Sequence, residues 1–105
     1  MTPYIIIFLL ERNNDQINIE LSQKICLKKF ANEFCYYTNY ELNGIVSYDK
    51  NNNKYVCYSV SPIDKSWYSY NDEIVNNTDF NSIFQSHSQQ NNNFIPNILL
   101  YKVIN

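Results

Sequence analysis

The sequence predicts an α+β fold that is mainly antiparallel β-sheet with one short helix. Short apolar or alternating segments recur along the chain between clusters of turn residues, and one later segment alone has helical periodicity. Hydrophobic residues make up 45% of the 105 residues and charged residues 17%, a composition that supports a packed core. Because the predicted strands follow one another without alternating helices, we expect antiparallel pairing.

The first third of the chain predicts two strands and contains one ambiguous segment. Residues 4–10 are a short β-branched and aromatic run, which predicts a buried strand. Ile17, Ile19 and Leu21 alternate with polar residues, which predicts a half-buried strand. Residues 25–30 are compatible with either an extended segment or a helical turn.

The rest of the chain predicts a hairpin, two further strands and the helix. Residues 40–48 and 55–60 are typical of strands, and the turn residues 49–53 predict a loop of about five residues between them. Residues 61–65 have turn chemistry around Pro62, and strands are predicted at residues 67–70 and 98–103.

The predicted helix begins near Thr78, which we expect to be its N-cap. Asp79 suits the positive start of a helix, and Phe80, Ile83 and Phe84 have the spacing of one buried helix face. We interpret the polar tract 86–93 and the asparagine-rich segment 49–53 as loop insertions.

Composition excludes several classes of function. The formal net charge is −2 with scattered lysines and arginines, so we expect no nucleic-acid partner. The single glycine, Gly44, excludes glycine-rich phosphate loops. Residues 4–10 are too few to cross a bilayer, which needs about 20 apolar residues, and they lack the flanks of a signal peptide. We therefore expect no membrane association.

The three cysteines, Cys26, Cys35 and Cys57, are an odd number without a C-x-x-C pair. This spacing argues against a disulfide framework and against a zinc site, so we expect an intracellular protein, cytoplasmic or nuclear, without a metal or another cofactor. We interpret the cysteines as small buried hydrophobic residues. His87, the only histidine, lies in the polar tract and is interpreted as an exposed loop residue.

Six segments, taken in order, carry a resemblance to a known enzyme family. Residues 3–12 are similar to an apolar strand that ends in Leu-Lys-Arg-Phe, and residues 17–30 to a strand followed by Leu-Asp-Leu-Ser. Residues 40–47 match Tyr-x-Leu-x-Gly-Val-x-x-His without the final His, and residues 53–58 lie where the family has Gly-His-Tyr-Val-Ala-Tyr. Residues 67–75 match Trp-Tyr-x-Phe-Asp/Asn-Asp-x-x-Val, and residues 97–102 resemble Ala-Tyr-x-Leu-Phe-Tyr.

These segments resemble the C-terminal, or palm, half of a ubiquitin-specific protease, a ubiquitin carboxyl-terminal hydrolase of the papain-like cysteine protease superfamily. The resemblance implies that residues 1–105 are a partial domain. It places Lys54 where the family has its catalytic histidine, Asn71 at the position that orients that histidine, and Asp72 next to it. Asn53 replaces a glycine that lets the C-terminal tail of ubiquitin pass through a narrow channel.

The family hydrolyses ubiquitin isopeptide bonds with a thiolate, a histidine base and an orienting Asp or Asn. Nothing in the chain resembles the family's cysteine box, and the ammonium of Lys54 offers only hydrogen-bond donors. We therefore predict that no catalytic set is intact and that the chain is inactive alone. We interpret Lys54 as a solvated loop charge. For Asp72 two interpretations have equal weight: a polar residue close to the family's active centre, and a turn residue at the end of a strand.

Three functions stay open at this point. The first is a pseudoenzyme that binds ubiquitin or another protein, which would cover an exposed sheet face. The second is the C-terminal part of a split or truncated active deubiquitinase, although Lys54 counts against it. The third is an unrelated small β-rich interaction domain. Because half a domain leaves apolar surface uncovered, we also expect self-association, a need for a partner, or marginal stability.

Overall fold

The computed structural model describes residues 4–10, 21–31, 34–87 and 94–104. This part of the chain forms seven strands and one helix. Their bounds are β1 Ile5–Leu9, β2 Lys24–Ala31, β3 Phe34–Asp49, β4 Lys54–Val60, β5 Trp67–Asn71, β6 Ile74–Thr78, α1 Phe80–Ser86 and β7 Phe94–Val103. Among these elements no helix is long and apolar enough to cross a membrane.

All seven strands belong to one antiparallel sheet with the order β1-β7-β3-β4-β5-β6, and β2 pairs separately with β3. The predicted hairpin is confirmed, because β4 pairs with β3 on one side and with β5 on the other. The α+β fold class is confirmed as well.

The long strand β3 organises the sheet, and one of its edges changes partner along its length. On one edge it pairs with β7 from Tyr40 to Asp49. On the other edge it pairs first with β2, as far as Glu41, and then with β4 from Gly44 onward. Two register shifts against β7, one between Leu42 and Gly44, mark where the strand is irregular. The ambiguous segment 25–30 is therefore part of a strand.

The hydrophobic core lies between the sheet and α1. Ile83 is 1% exposed and is the buried residue of the helix. The helix packs on the sheet face that carries Ser47, Tyr58 and Trp67. The ring centroids of Trp67 and Phe80, for example, are 6.3 Å apart. We call this side the helix face. Its buried side chains include those of Tyr40, Leu42, Ile45, Val56, Leu99 and Tyr101.

The opposite side, the outer face, carries a row of apolar side chains that crosses six strands. Residues directly opposite each other in an antiparallel ladder point to the same side. The register partners that form this row are Leu9, Ile98, Val46, Cys57, Tyr70 and Val75. No described helix or strand packs over this row, and Leu9 is 71% and Val75 55% exposed.

The strand predicted within residues 4–10 is present, but the prediction that it is buried is wrong. β1 pairs only with β7, and four of its five residues are exposed. A strand that is apolar on both faces needs a covering layer on each, and the described elements supply one on the helix face alone. The prediction of an exposed apolar sheet face agrees with this arrangement.

The helix begins one residue later than predicted. Asp79 is the N-cap, because its backbone is extended and its carboxylate accepts a hydrogen bond from the backbone N–H of Ser82 at 2.7 Å. Thr78 is instead the last residue of β6. The sequence did not predict β6, since Asn76 and Asn77 in its centre are poor strand formers.

Other boundaries also differ. β7 starts at Phe94 rather than near residue 98, and Pro96 lies within it where the register against β3 shifts. Asp49 ends β3, so the hairpin loop is residues 50–53. Ile17, Ile19 and residues 91–93 lie outside the described residues, while Leu21 is buried but not in a strand.

The loop between β4 and β5 is a tight, hydrogen-bonded turn. The backbone N–H of Ser61 donates to the carbonyl of Ser66, and that of Lys65 donates to the carbonyl of Ser61, both at 2.9 Å. The Asp64 carboxylate accepts from the Ser66 N–H at 2.9 Å and from the Tyr68 hydroxyl. The Tyr68 hydrogen bond, followed by that from Ser66, lowers the pKa of Asp64 below its usual value.

We expect acid to loosen this turn. Because the pKa of Asp64 is depressed in the folded state, its contribution to stability is present above the unfolded pKa, about 3.9. That contribution is lost as pH falls through the folded pKa. The amide proton shift of Ser66, followed by NMR, should titrate with a midpoint below that of an unfolded aspartate. Tyr68→Phe should move the midpoint upward, and an unchanged midpoint would contradict the assignment.

Candidate functional site

The three positions that the resemblance singles out lie at one end of the β4–β5 pair. Lys54 is the first residue of β4, Asn71 is the last of β5, and Asp72 begins the turn to β6. Because β4 and β5 are antiparallel, with Cys57 opposite Tyr70, the start of one lies beside the end of the other. The Nζ atom of Lys54 lies 3.3 Å from Oδ2 of Asp72.

Two turns with left-handed residues hold this end of the sheet in place. Asn53, just before Lys54, has φ 54°, and Asp72, just after Asn71, has φ 56°. Asn and Asp tolerate this region better than most residues, while glycine is the most favoured there. Asn53 thus has a backbone conformation that a glycine would also favour.

The ion pair between Lys54 and Asp72 is partly solvated. The side chain of Lys54 is 34% and that of Asp72 75% exposed. Such pairs contribute about 1 kcal/mol or less to stability. Lys54 is therefore not the free loop charge that the sequence predicted: it belongs to a strand and donates its ammonium protons to a carboxylate.

Asn71, which the resemblance places at the orienting position, lies in a cleft beside α1. Its Oδ1 atom is buried, and no described residue donates a hydrogen bond to it. The side chain lines a cleft of about 240 Å³ between the sheet and α1, together with Val56, Tyr58, Ser82 and Phe94 among others. Every residue that lines the cleft is uncharged. The carbonyl that would orient an imidazole has none to hold within the described part of the chain.

His87, which was predicted to be an exposed loop residue, is half-buried and joins α1 to the sheet. Its Nδ1 lies 2.7 Å from the carbonyl oxygen of Ile83, and its Nε2 lies 2.7 Å from Oγ of Ser47. Since a carbonyl only accepts, Nδ1 carries a proton and donates. In neutral His87, Nε2 then accepts from the Ser47 hydroxyl.

This serine–histidine pair has the spacing of a nucleophile and its base, but Ser47 is 0% exposed. A substrate carbonyl has no access to such a hydroxyl, so the pair serves to hold the helix on the sheet. The sequence did not indicate this contact, because the two residues are 40 positions apart and only tertiary structure brings them together.

The two cysteine side chains that the structure describes do not supply a nucleophile to this site. Cys26 and Cys57 are free and exposed, which corrects the prediction that they are buried, while the side chain of Cys35 lies outside the described residues. Successive strand residues point to opposite faces, so Cys57 lies on the outer face while Val56 lines the cleft. In the described part of the chain, no three His, Cys, Asp or Glu residues could together hold a metal ion.

The chain matches a family model over nearly its whole length. Residues 3–101 match the model described as ubiquitin carboxyl-terminal hydrolase. No curated protein sequence is significantly similar to the chain.

Solved structures with similar folds include three multi-domain or multi-protein modules. The pseudoubiquitin hydrolase–RNA exonuclease module of Saccharomyces cerevisiae Pan2, in complex with AAUUAA RNA, is similar over 99% of this chain and 21% of its own, with TM-score 0.71 and 18% identity. A yeast SAGA DUB module with an Sgf73 mutant is similar over 98% of this chain and 25% of its own, with TM-score 0.70 and 18% identity. A SAGA DUB module bound to monoubiquitin is similar over 98% of this chain and 24% of its own, with TM-score 0.67 and 17% identity.

At these identities the likeness concerns the fold alone. The chain spans between about a fifth and a quarter of the length of these three solved chains.

Proposed function

The chain belongs to the ubiquitin carboxyl-terminal hydrolase family, and we propose that it is a catalytically inactive member that acts as a binding or scaffolding module. The observation that carries this proposal is the contact between Lys54 and Asp72. Lys54 takes the position of the general base, and its ammonium donates to a carboxylate instead of accepting a proton.

The rest of the site supports the same proposal. Isopeptide hydrolysis needs a thiolate, a base and an orienting group within hydrogen-bond reach of one another. Asn71 has an unpartnered carbonyl oxygen in place of a held imidazole, and Cys57 lies on the other face of the sheet from the cleft beside it. Neither residue completes a catalytic set with Lys54.

We propose that the partner is ubiquitin or another protein that covers the outer face. The apolar row from Leu9 to Val75 supports this, since exposed apolar surface of this extent marks interaction sites in soluble proteins. One of the structurally similar modules is bound to monoubiquitin. The net charge of −2 without clustered lysines argues against a nucleic-acid partner for this chain. An intracellular location follows from the unpaired cysteines and stays a proposal.

A second candidate function is the C-terminal part of an active deubiquitinase whose cysteine lies on another segment or polypeptide. The short span of the chain relative to its structural matches favours this candidate. It predicts a family cysteine box encoded in frame upstream of Met1. Lys54 counts against it, because the base belongs to the half that this chain provides.

We expect no hydrolase activity from the purified chain. It should release no fluorophore from a ubiquitin C-terminal amide above the buffer rate, and a ubiquitin-based cysteine probe should leave it unlabelled. Lys54→His alone should restore nothing, because members of a catalytic triad act as a unit and the nucleophile is missing. An active deubiquitinase in the same assay is the control, and labelling at Cys26, Cys35 or Cys57 would refute the proposal.

Binding is tested separately from catalysis. Isotope-labelled ubiquitin titrated with the unlabelled chain should show saturable changes in its amide signals. Tyr70→Lys, in the apolar row of the outer face, should weaken this effect. Ile63→Lys is the matched control, because Ile63 is 92% exposed but lies on the β4–β5 loop. If ubiquitin signals do not change, the partner is not ubiquitin.

A further inference from the structure

A notch interrupts the edge of the sheet where β3 changes partner. β2 pairs with β3 as far as Glu41, and β4 pairs with it only from Gly44. Between them the backbone N–H of Leu42 donates to the carbonyl of Gln23 at 2.8 Å, and Asn43 is opposite neither strand. A cavity of about 590 Å³ occupies this gap.

One wall of the notch is apolar and aromatic. Val60 and Trp67 contribute from the β4–β5 side, Phe80 from α1 and Val103 from β7. Trp67 is 7% exposed and packs against Phe80, so the wall is fixed by the core behind it. A cavity of this size with such a wall is in the range that takes a small organic ligand.

Within the described residues, the remaining lining carries three charges, and none of them takes part in an ion pair. These are the ammonium groups of Lys65 and Lys102 and the carboxylate of Glu41. Glu41 and Lys102 are register partners on β3 and β7, yet within the described residues the only ion pair joins Lys54 and Asp72. The notch therefore offers two cations and one anion to a ligand.

The backbone of the β4–β5 loop holds Lys65 in a fixed position. Lys65 has φ 62°, which is uncommon for a residue other than Gly, Asn or Asp. The hydrogen bonds between Ser61, Lys65 and Ser66 close the loop around it. Left-handed residues of this kind persist where the surrounding structure enforces them, and they cluster at ligand sites.

We propose that this notch binds an amphipathic carboxylate that also carries an N–H donor. The carboxylate would lie between Lys65 and Lys102, the N–H would donate to Glu41, and an apolar body would pack on Trp67 and Phe80. A free apolar amino acid and the C-terminal residue of a peptide share this chemistry. The site is separate from Lys54 and Asn71 and does not depend on the function proposed above.

Trp67 is the only tryptophan, so its fluorescence reports occupancy of the notch directly. The probes are phenylalanine, N-acetylphenylalanine and N-acetylphenylalanine amide. We expect a saturable change with at least one of the two acids and binding at least about tenfold weaker with the amide, which lacks the charged group. Binding of phenylalanine alone would identify a free amino acid, and binding of the acetylated acid would identify a peptide C-terminus.

Lys65→Gln and Lys102→Gln should each weaken binding by about tenfold, the worth of one charge-assisted hydrogen bond. Both lysines are exposed, so the variants should keep their fold. Lys50→Gln, in the hairpin turn at the other end of β3, is the matched control and should bind like the parent. NMR shifts of the side-chain amides of Gln23 and Asn43 give a second readout. No saturable change with either acid, equal binding of the amide, or unaffected lysine variants would each overturn the proposal.

Discussion

Ile83→Ala is expected to lower the free energy of unfolding by about 2–5 kcal/mol, the cost of a large cavity in a packed core. Ile83 is 1% exposed and is the one fully buried side chain of α1, so its truncation leaves a cavity between the helix and the sheet, while Phe80 still packs against Trp67. A small domain is stable by only about 5–15 kcal/mol, so this change is a large fraction of the total.

The melting temperature should fall by roughly 8–40 °C, given about 4–8 °C per kcal/mol for a domain of this size. Thermal melting followed by circular dichroism measures it. Ile63→Ala is the matched control: the same substitution at a side chain that is 92% exposed should stay within about 0.5 kcal/mol of the parent. Equal effects at the two positions would mean that α1 does not pack on the sheet.

The second large effect concerns association. Without a partner, copies of the chain should bury the outer face against each other, and dissociation should be measurable by sedimentation velocity over a range of concentrations. Tyr70→Lys places a charge within the apolar row, where association would bury it without a counter-ion. We expect this variant to associate at least about tenfold more weakly, since about 1.4 kcal/mol is enough for that change.

Ile63→Lys adds the same charge at a site off the outer face, and it should associate like the parent chain. The result that would most clearly contradict this prediction of association comes from the parent protein. If it is a monodisperse monomer that melts cooperatively above about 60 °C, near the top of the usual mesophile range, the sheet needs no further cover.

Local patterns explain why the hairpin and the helix were predicted well. The turn residues between β3 and β4 and the spacing of Phe80, Ile83 and Phe84 are properties of neighbouring residues. The predicted strand at residues 55–60 implies that Val56 and Cys57 face opposite ways. It did not show which face α1 would cover, and for that reason the burial of Cys57 was predicted wrongly.

The site was predictable only where one residue determines its chemistry. A lysine ammonium offers only hydrogen-bond donors whatever the fold, so the expectation that no catalytic set is intact rests on residue types and stays a prediction. The ion pair of Lys54 with Asp72 and the contact of His87 with Ser47 depend on strand register and helix placement. Short polar residues in turns do not encode such long-range contacts.

The pairing of β1 with β7 has a consequence for folding during synthesis on the ribosome. Ile5 is opposite Lys102, so the only described neighbour of β1 is synthesised long after β1 itself. At about 5–20 residues per second, β1 waits several seconds or longer before β7 exists. During that wait its isoleucines are available to nascent-chain chaperones. Ribosome profiling with chaperone pull-down should therefore show this chain bound by chaperones from the synthesis of β1 until that of β7.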